Sequence, residues 1–164
     1  KHGLFDKIVG LKYFNVFGPY EDHKGDMRSV VSKAYRQIKS TGKVQLFKSY
    51  RPEYADGEQM RDFIYVKDVV AVTLHFALSR SKGGLFNCGT GKARTWKDLV
   101  TAVYSAMKVP PRIEFIPMPE QLRGKYQYFT EAEMTKLRSS GYTAEFSSLE
   151  DAVADYIAIY YESQ

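Results

Sequence analysis

A cluster of polar residues follows directly on an apolar segment near the start of the sequence. The stretch KYFNVFGPYEDHKGDM, residues 12–27, runs from aromatic and β-branched residues into His23, Lys24 and Asp26. A lysine can act as a proton donor and acceptor when burial or neighbouring cations disfavour its charged form. No structural role requires this cluster, so it indicates a strand whose end carries groups for binding or proton transfer.

Other candidate motifs are weaker. Tyr-x-x-x-Lys, a spacing used for proton transfer in dehydrogenases, occurs at Tyr20/Lys24 and at Tyr104/Lys108. Pro19 places Tyr20 in a turn, where this spacing does not align the two side chains, and Tyr104 lies on a predicted amphipathic helix. The three histidines are scattered, so no metal site is predicted.

The glycine-containing stretch NCGTGKAR, residues 87–94, does not match a nucleotide-binding loop. A dinucleotide fingerprint needs Gly-x-Gly-x-x-Gly between a strand and a helix, and only Gly89 and Gly91 are present. A phosphate loop would need glycine where Phe86 stands. The stretch therefore predicts a turn after a strand.

Composition is that of one globular core. The 164 residues are 44% hydrophobic, carry a net charge of +5 and include a single cysteine, Cys88. One cysteine excludes an intrachain disulfide framework and favours a reducing compartment, so we expect a cytoplasmic protein. No apolar run reaches the roughly 18 residues of a membrane span. The basic charge permits a phosphate-bearing small molecule as readily as nucleic acid.

The periodicity predicts an α/β fold with too few strands for a complete doubly wound sheet. Apolar runs predict strands, and apolar residues at helical spacing after capping residues predict helices. The predicted strands are 8–14, 44–47, 63–65, 85–87 and 113–116, and residues 48–60 are predicted to form a loop. The predicted helices begin at Asp26, Val66, Thr95, Thr130 and Leu149, the first ending at Gly42. Thr95 with Asp98 three residues on predicts a capping box, and Thr130 with Glu133 has the same spacing. The residues predicted on the inner side of the helix after Thr95 are Trp96, Leu99, Val100, Val103 and Met107.

Four segments resemble a known family. VGLKYFNVFGPYEDHKGDM, LFKSYRPEYADGEQMRDFIYVKDVV, FNCGTGKARTW and LRGKYQYFTEAEM are similar to successive segments of the ADP-glyceromanno-heptose 6-epimerases, which are extended short-chain dehydrogenase/reductases. YFNVFGP and RDFIYVKDV are shared by many nucleotide-sugar enzymes of this Rossmann-type superfamily. HKG and RGKYQYFT point to the heptose epimerases, and the resemblance covers nearly the whole chain.

The resemblance implies that residues 1–164 are a carboxy-terminal, substrate-binding portion with the last Rossmann strands. The glycine-rich motif, the catalytic Tyr-x-x-x-Lys and its Ser/Thr partner would belong to an amino-terminal half. NADP or NAD would be held mainly by that half, so this chain alone is expected to be inactive. An ADP-heptose substrate and a homo-oligomer are implied, and neither nucleic acid nor a membrane is an implied partner.

The resemblance also implies roles around the first strand. Lys24 matches the second acid/base of an epimerase that oxidises the C6 hydroxyl and reduces the ketone in a rotated orientation. Two groups are needed because the proton leaves from one face and returns from the other. Val16 and Lys24 would border the cofactor, and Asn15 would face the nucleotide sugar. From the residues alone, a solvated loop lysine is the simpler interpretation of Lys24.

The remaining implied roles concern substrate binding. Arg61 matches an arginine that contacts the diphosphate, a task that suits a planar guanidinium; a salt bridge to Asp62 is the alternative. Tyr126 matches a tyrosine near the sugar, with core packing as the alternative. The other matched positions are Phe47, Lys48 and Ser49 beside the nucleotide, and Asp26 and Lys33, which replace Ser and His of one version of the family.

Three functions remain open at this point. The first is heptose epimerisation, and the second is epimerisation or dehydration of another nucleotide sugar. The third is a non-catalytic basic module that binds nucleic acid through the helix carrying Arg28, Lys33, Arg36 and Lys39.

Overall fold

Strands and helices alternate through the computed structural model, which describes residues 7–79 and 83–161. The order along the chain is β1 (Val9–Tyr13), β2 (Asn15–Phe17), α1 (Val30–Thr41), β3 (Val44–Phe47), β4 (Met60–Tyr65), α2 (Val66–Leu78), β5 (Gly84–Cys88), β6 (Ala93–Thr95), α3 (Trp96–Ala106), β7 (Ile113–Ile116), α4 (Glu120–Arg123), α5 (Thr135–Ser139) and α6 (Leu149–Tyr156). The α/β prediction is confirmed, and the five predicted strands are present with ends shifted by a few residues.

The strands form three small sheets in the described part of the chain. β1 pairs in parallel with β5, from Val9 opposite Gly84 to Tyr13 opposite Cys88. β4 is central in the second sheet, parallel to β2 and antiparallel to β6, and β3 pairs in parallel with β7. Parallel pairs require long crossovers, which helices supply here.

Helix α1 begins later than predicted. The expected start at Asp26 is wrong, because Asp22–Met27 forms a 3-10 segment interrupted at Gly25, whose φ is 54°. Ser29 caps α1 instead, and its hydroxyl accepts a hydrogen bond from the Ser32 N–H. The predicted end is confirmed, since Gly42 takes the left-handed conformation, with φ 74°, that glycine adopts without steric cost.

Two cores hold the elements together. The larger one joins α1, α3 and α6 to β3 and β4, and the smaller one packs α2 and α5 against β4 and β5. Helix α3 has the predicted capping box, in which Thr95 and Asp98 each accept the other's backbone N–H. Its predicted inner residues Leu99, Val100 and Val103 are buried.

The helix predicted to begin at Thr130 is wrong. The chain is still extended there, because Phe129 bridges to Met60 of β4 and the Thr130 N–H donates to the Met60 carbonyl. The Glu133 carboxylate accepts the Thr135 N–H, and only the short α5 follows. The last predicted helix is confirmed as α6, continued by a π-helical turn at Ile157–Tyr161.

Apolar side chains are exposed along α2. Val70, Leu74 and Leu78 are exposed at four-residue spacing on this helix, and we call these three residues the α2 surface. Ile8, directly before β1, and Leu85 of β5 are exposed as well. Within the described residues β1 pairs only with β5. None of the helices in the described part of the chain has the length and apolar character of a membrane span.

Candidate functional site

Arg61 is held at the start of the central strand β4. Its residue is only 8% exposed, and its guanidinium donates to the carbonyls of Met60, at 2.7 Å, and Gln127. The guanidinium also lies over two aromatic rings, 5.2 Å from the Tyr126 centroid and 5.8 Å from the Trp96 centroid. Burial lowers the pKa of Arg61 below its ordinary value, with Tyr126 opposing that effect.

The alternative salt bridge between Arg61 and Asp62 is wrong. Asp62 points to other donors: its carboxylate accepts the backbone N–H groups of Thr90, Gly91 and Ala132. No ion pair joins Arg61 to a carboxylate among the residues that the structure describes. Arg61 is therefore a mostly buried cation whose protein partners are neutral, and an anionic ligand would suit it.

A cavity of about 320 Å³ lies next to these aromatic rings. Helix α1, strand β3 and the starts of β4 and α3 form its wall, which is mainly apolar. The residues that line it include Lys33, Ala34, Leu46, Phe47, Gln59, Trp96 and Tyr126. We call this space the site cavity. It thus brings together Lys33, Phe47 and Tyr126, three of the residues implied by the family resemblance.

Hydrogen bonds and ring contacts fix the wall of the site cavity. The Trp96 indole N–H donates to the Tyr126 hydroxyl at 2.9 Å, and the Phe47 ring meets the Tyr126 ring edge-on. Gln59 is fully buried, and its amide donates to the carbonyls of Phe47 and Lys48. Burial raises the pKa of Tyr126, although Arg61 and the Trp96 bond act in the opposite direction. A neutral phenol can therefore donate a hydrogen bond to a ligand.

The loop after β3 adds more cations and tyrosines near the site cavity. The Arg51 guanidinium stacks on the Tyr128 ring at 4.7 Å, and that of Arg123 stacks on Tyr50 at 4.1 Å. The predicted residues Lys48 and Ser49 lie at the start of this loop. Lys48 is exposed, while the Ser49 N–H donates to Asp56 and its hydroxyl to a loop carbonyl. Their position directly after Phe47 agrees with a role at the edge of the cavity.

The predicted acid/base Lys24 lies outside the residues that line the site cavity. It is exposed on the 3-10 segment, as is Asp26. Lys33 connects the two regions, because its ammonium group donates to the Asp26 carbonyl at 2.6 Å while the same side chain lines the cavity. Asn15 is exposed and Val16 is half-buried on β2, opposite Phe63 and Ile64 of β4.

The turn that contains Gly89 and Gly91 is occupied by the protein itself. A Cβ at Gly89 would lie 2.7 Å from the Asp62 carboxylate and 2.5 Å from Ala132, and the Gly91 N–H donates to Asp62. Because these groups bind Asp62, the turn does not form a phosphate cradle. The structural interpretation of this glycine pair is thereby confirmed.

Trp96, Gln59 and Glu21 complete the region without having been predicted as functional. Trp96 was predicted only as a core residue of α3, and Gln59 lay inside a predicted polar loop. A buried glutamine surrounded by polar loop residues carries no periodic signal. Glu21 accepts a hydrogen bond from Tyr156, which lies far away in sequence.

These features are set on an α/β architecture of the Rossmann type, with parallel strand pairs joined through helices. The sequence profile of the NAD dependent epimerase/dehydratase family matches residues 4–89, just over half of the chain, and the chain belongs to this family.

Two proteins with similar sequences have the same name. The chain is 59% identical over 160 residues, 98% of its length, to the ADP-L-glycero-D-manno-heptose-6-epimerase of Nitratidesulfovibrio vulgaris (strain DP4), of which it covers 50%. It is 50% identical over 157 residues to the protein of that name from Fusobacterium nucleatum, covering 92% of this chain and 47% of that one. The chain thus spans about half the length of the curated relatives that it matches.

Solved structures agree with the fold. The crystal structure of Helicobacter pylori ADP-L-glycero-D-manno-heptose-6-epimerase matches with a TM-score of 0.76 and 27% identity, over 92% of this chain and 43% of that chain. The Thermus thermophilus UDP-glucose 4-epimerase in complex with NAD matches with a TM-score of 0.71 and 26% identity, over 92% and 45%.

Proposed function

We propose that the complete protein carrying this chain interconverts ADP-D-glycero- and ADP-L-glycero-mannoheptose, and that this chain supplies the substrate-binding portion. The observation that carries the proposal is Arg61, a mostly buried guanidinium without a carboxylate partner in the described residues, beside the site cavity. The names of the relatives in Nitratidesulfovibrio and Fusobacterium support the choice of sugar.

The nucleotide would occupy the site cavity and its diphosphate would reach Arg61. The cavity offers apolar contacts from Phe47 and Trp96 to a base, and the Lys33 cation lines it. Lys48 is exposed and directly follows Phe47 in sequence. Arg61 can pair with two phosphate oxygens through charge-assisted hydrogen bonds. Tyr126, kept neutral, can donate to an oxygen of the substrate.

Lys24 would transfer a proton to or from the hydroxyl oxygen on the sugar carbon that is epimerised. A bound NADP or NAD would supply the oxidation and its reversal, and Val16 and Lys24 would flank it on this chain's side. The sugar must turn over between the two proton transfers, so a second group on the opposite face is required. We propose Lys24 for that face, with Asn15 and Asp26 near the sugar.

The first test compares Lys24→Met with Arg61→Ala in the complete protein. Lys24→Met should lower kcat about 100- to 10,000-fold with little change in KM, since it removes an interaction made mainly in the transition state. Arg61→Ala should raise KM about 10- to 100-fold, the value of lost hydrogen bonds to a charged group. Lys39→Met is the matched control, and its kinetics should equal those of the parent protein.

The second test separates the heptose from other nucleotide sugars. Purified complete protein is incubated with ADP-D-glycero-mannoheptose, and the two epimers are resolved by NMR. The same protein is heated with ADP- and UDP-sugars in parallel, because a ligand of the native state raises the melting temperature. Protection by UDP-sugars alone would favour another epimerase or dehydratase of the family.

The third function, nucleic-acid binding through α1, loses support from the contacts of its basic residues. Arg36 and Arg28 pair with Asp22, and Lys39 lies over the Tyr35 ring. Phosphates would have to compete with these contacts.

We also propose that this chain alone neither retains the cofactor nor epimerises the sugar. Stoichiometric nicotinamide cofactor on the purified chain would contradict this.

A further inference from the structure

Glu21 is a buried carboxylate that the mechanism above does not use. It is 3% exposed, and one carboxylate oxygen accepts the Ser29 N–H at 2.7 Å. The other oxygen accepts the hydroxyls of Ser29, at 2.5 Å, and Tyr156, at 2.8 Å. No ion pair of Glu21 occurs in residues 7–79 and 83–161. Neutral donors and the amino end of α1, which Ser29 caps, therefore stabilise its charge.

Glu21 and Ser29 stand at the two ends of the segment that carries Lys24. This Lys24 segment, residues 22–28, contains a 3-10 turn with no buried residue. Its backbone begins with a hydrogen bond from the Lys24 N–H to the Glu21 carbonyl. Since the turn itself contributes nothing to either core, its position depends on how its ends are fixed and on exposed contacts with α1, in which Arg36 pairs with Asp22 and Lys33 donates to the Asp26 carbonyl. The Glu21 carboxylate joins those ends and ties them to Tyr156 of α6.

We propose that Glu21 is a positioning residue for Lys24, because its carboxylate joins the two ends of the Lys24 segment and links them to α6. The inference rests on the proposed function, in which Lys24 transfers a proton. Gly25, at φ 54°, gives the segment a backbone that can take other conformations once the Glu21 hydrogen bonds at its ends are lost. A displacement of the reacting group by about 1 Å can cost roughly 100-fold in rate.

The role requires a carboxylate rather than a side chain of similar shape. All three partners donate to Glu21, and the two hydroxyls can rotate to accept instead, but the Ser29 N–H cannot. A glutamine whose amide oxygen accepts the Ser29 N–H turns its NH2 group toward the two hydroxyls, which then accept and lose Glu21 as the acceptor for their own hydrogens. In the opposite orientation the Ser29 N–H loses its acceptor. Glu21→Gln isolates this loss, because it keeps the side-chain volume.

The first experiment measures the segment directly in the complete protein. Hydrogen exchange of peptides that cover the Lys24 segment should become at least about 10-fold faster in Glu21→Gln, since loss of a buried hydrogen bond of about 1.4 kcal/mol corresponds to that factor. Glu150→Gln is the control, because Glu150 is exposed and pairs with Arg94 elsewhere on the surface. Unchanged exchange in Glu21→Gln would overturn the proposal.

The second experiment asks whether Glu21 acts through Lys24. Glu21→Gln should lower kcat about 10- to 100-fold with KM nearly unchanged, and should have no further effect in the Lys24→Met background. Equal losses with and without Lys24 would indicate general structural damage and overturn the positioning role. If Glu21→Gln does not fold, Tyr156→Phe, which removes a single donor, should show the same pattern more weakly.

The outcomes distinguish this inference from the function on which it rests. Full turnover in Lys24→Met would overturn the proton-transfer role of Lys24 and this role of Glu21 together, while epimerisation itself would stand. Absence of epimerisation in the parent protein would overturn the proposed function, and the hydrogen-exchange experiment would still test whether Glu21 fixes the Lys24 segment. Normal turnover in Glu21→Gln, alongside an impaired Lys24→Met, would overturn only the role of Glu21.

Discussion

Replacement of Asp62 by Asn should be among the most destabilising conservative changes in this chain. The Asp62 carboxylate is fully buried and accepts four hydrogen bonds. One oxygen accepts the N–H and hydroxyl of Thr90, both at 2.7 Å, and the other accepts the N–H groups of Gly91, at 2.9 Å, and Ala132, at 3.0 Å. These bonds join β4 to the turn after β5 and to the segment before α5.

The expected cost follows from the donors. An asparagine keeps one acceptor oxygen, and its amide group must face the remaining donors. If the amide faces Thr90, the Thr90 hydroxyl can rotate to accept, but the Thr90 N–H is left without an acceptor. If the amide faces Gly91 and Ala132, the N–H groups of both residues are left without an acceptor. Each orphaned buried N–H costs about 1–3 kcal/mol, and the bonds that remain lose their charge assistance. We therefore expect a loss of roughly 2–4 kcal/mol in the free energy of unfolding.

Urea unfolding of the complete protein, followed by fluorescence, measures this loss. Asp151→Asn is the control, because Asp151 is exposed and its carboxylate accepts from Ser148 at the start of α6. It should change the free energy of unfolding by about 0.5 kcal/mol or less, as is usual for surface positions. If Asp62→Asn were as stable as the control, the hydrogen bonds of the carboxylate would not be what holds the turn.

Four further predictions concern stability and association. Thr95→Ala should cost about 1 kcal/mol by removing the cap of α3, measured by urea unfolding. Burial raises the pKa of Asp98, but hydrogen bonds from Thr95 and an arginine outweigh burial, so the pKa in the folded state is lower than usual. The charged Asp98 should therefore stabilise the fold above the unfolded-state pKa of about 3.9, and this stabilisation should be lost as the pH falls through the lower folded-state pKa. Unfolding measured at successive acidic pH values would test this. Gly18→Ala should lower stability by about 1–3 kcal/mol in thermal unfolding, because its Cβ would lie 2.3 Å from a methyl of Val66. This chain produced alone should associate through the α2 surface, and Leu74→Glu should weaken that association in sedimentation experiments; a parent chain that is strictly monomeric at high concentration would contradict the prediction.

The sequence was most informative where local signals and burial agree. The strands Val9–Tyr13 and Ile113–Ile116 and the capping box of α3 were predictable, because apolar runs and capping residues act over a few positions. Thr130 shows where the same logic fails. It has the spacing of a cap, yet the pairing of Phe129 with Met60, 69 positions earlier, keeps the chain extended.

The sequence supplied candidate residues for the site but not their arrangement. Family resemblance singled out Arg61, Phe47 and Tyr126, and the structure brings them to one region. The partners that fix this region are remote in sequence: Trp96 donates to Tyr126 across 30 positions, and Glu21 accepts from Tyr156 across 135. No periodic pattern reports such a contact. Likewise, the sequence alone could not show that Arg61 bonds to neutral carbonyls and not to Asp62, because this depends on how the chain folds.

The link between Glu21 and Tyr156 also has a consequence for biosynthesis. Ribosomes add about 5–20 residues per second, so the 135 positions that separate the two residues correspond to roughly 7–27 s of synthesis. The Lys24 segment is made early but receives its anchor only when α6 emerges and docks. A nascent chain, or one cut short before α6, therefore lacks this anchor for the segment that carries Lys24, the residue proposed for proton transfer, and we expect activity to appear only as the last helix folds.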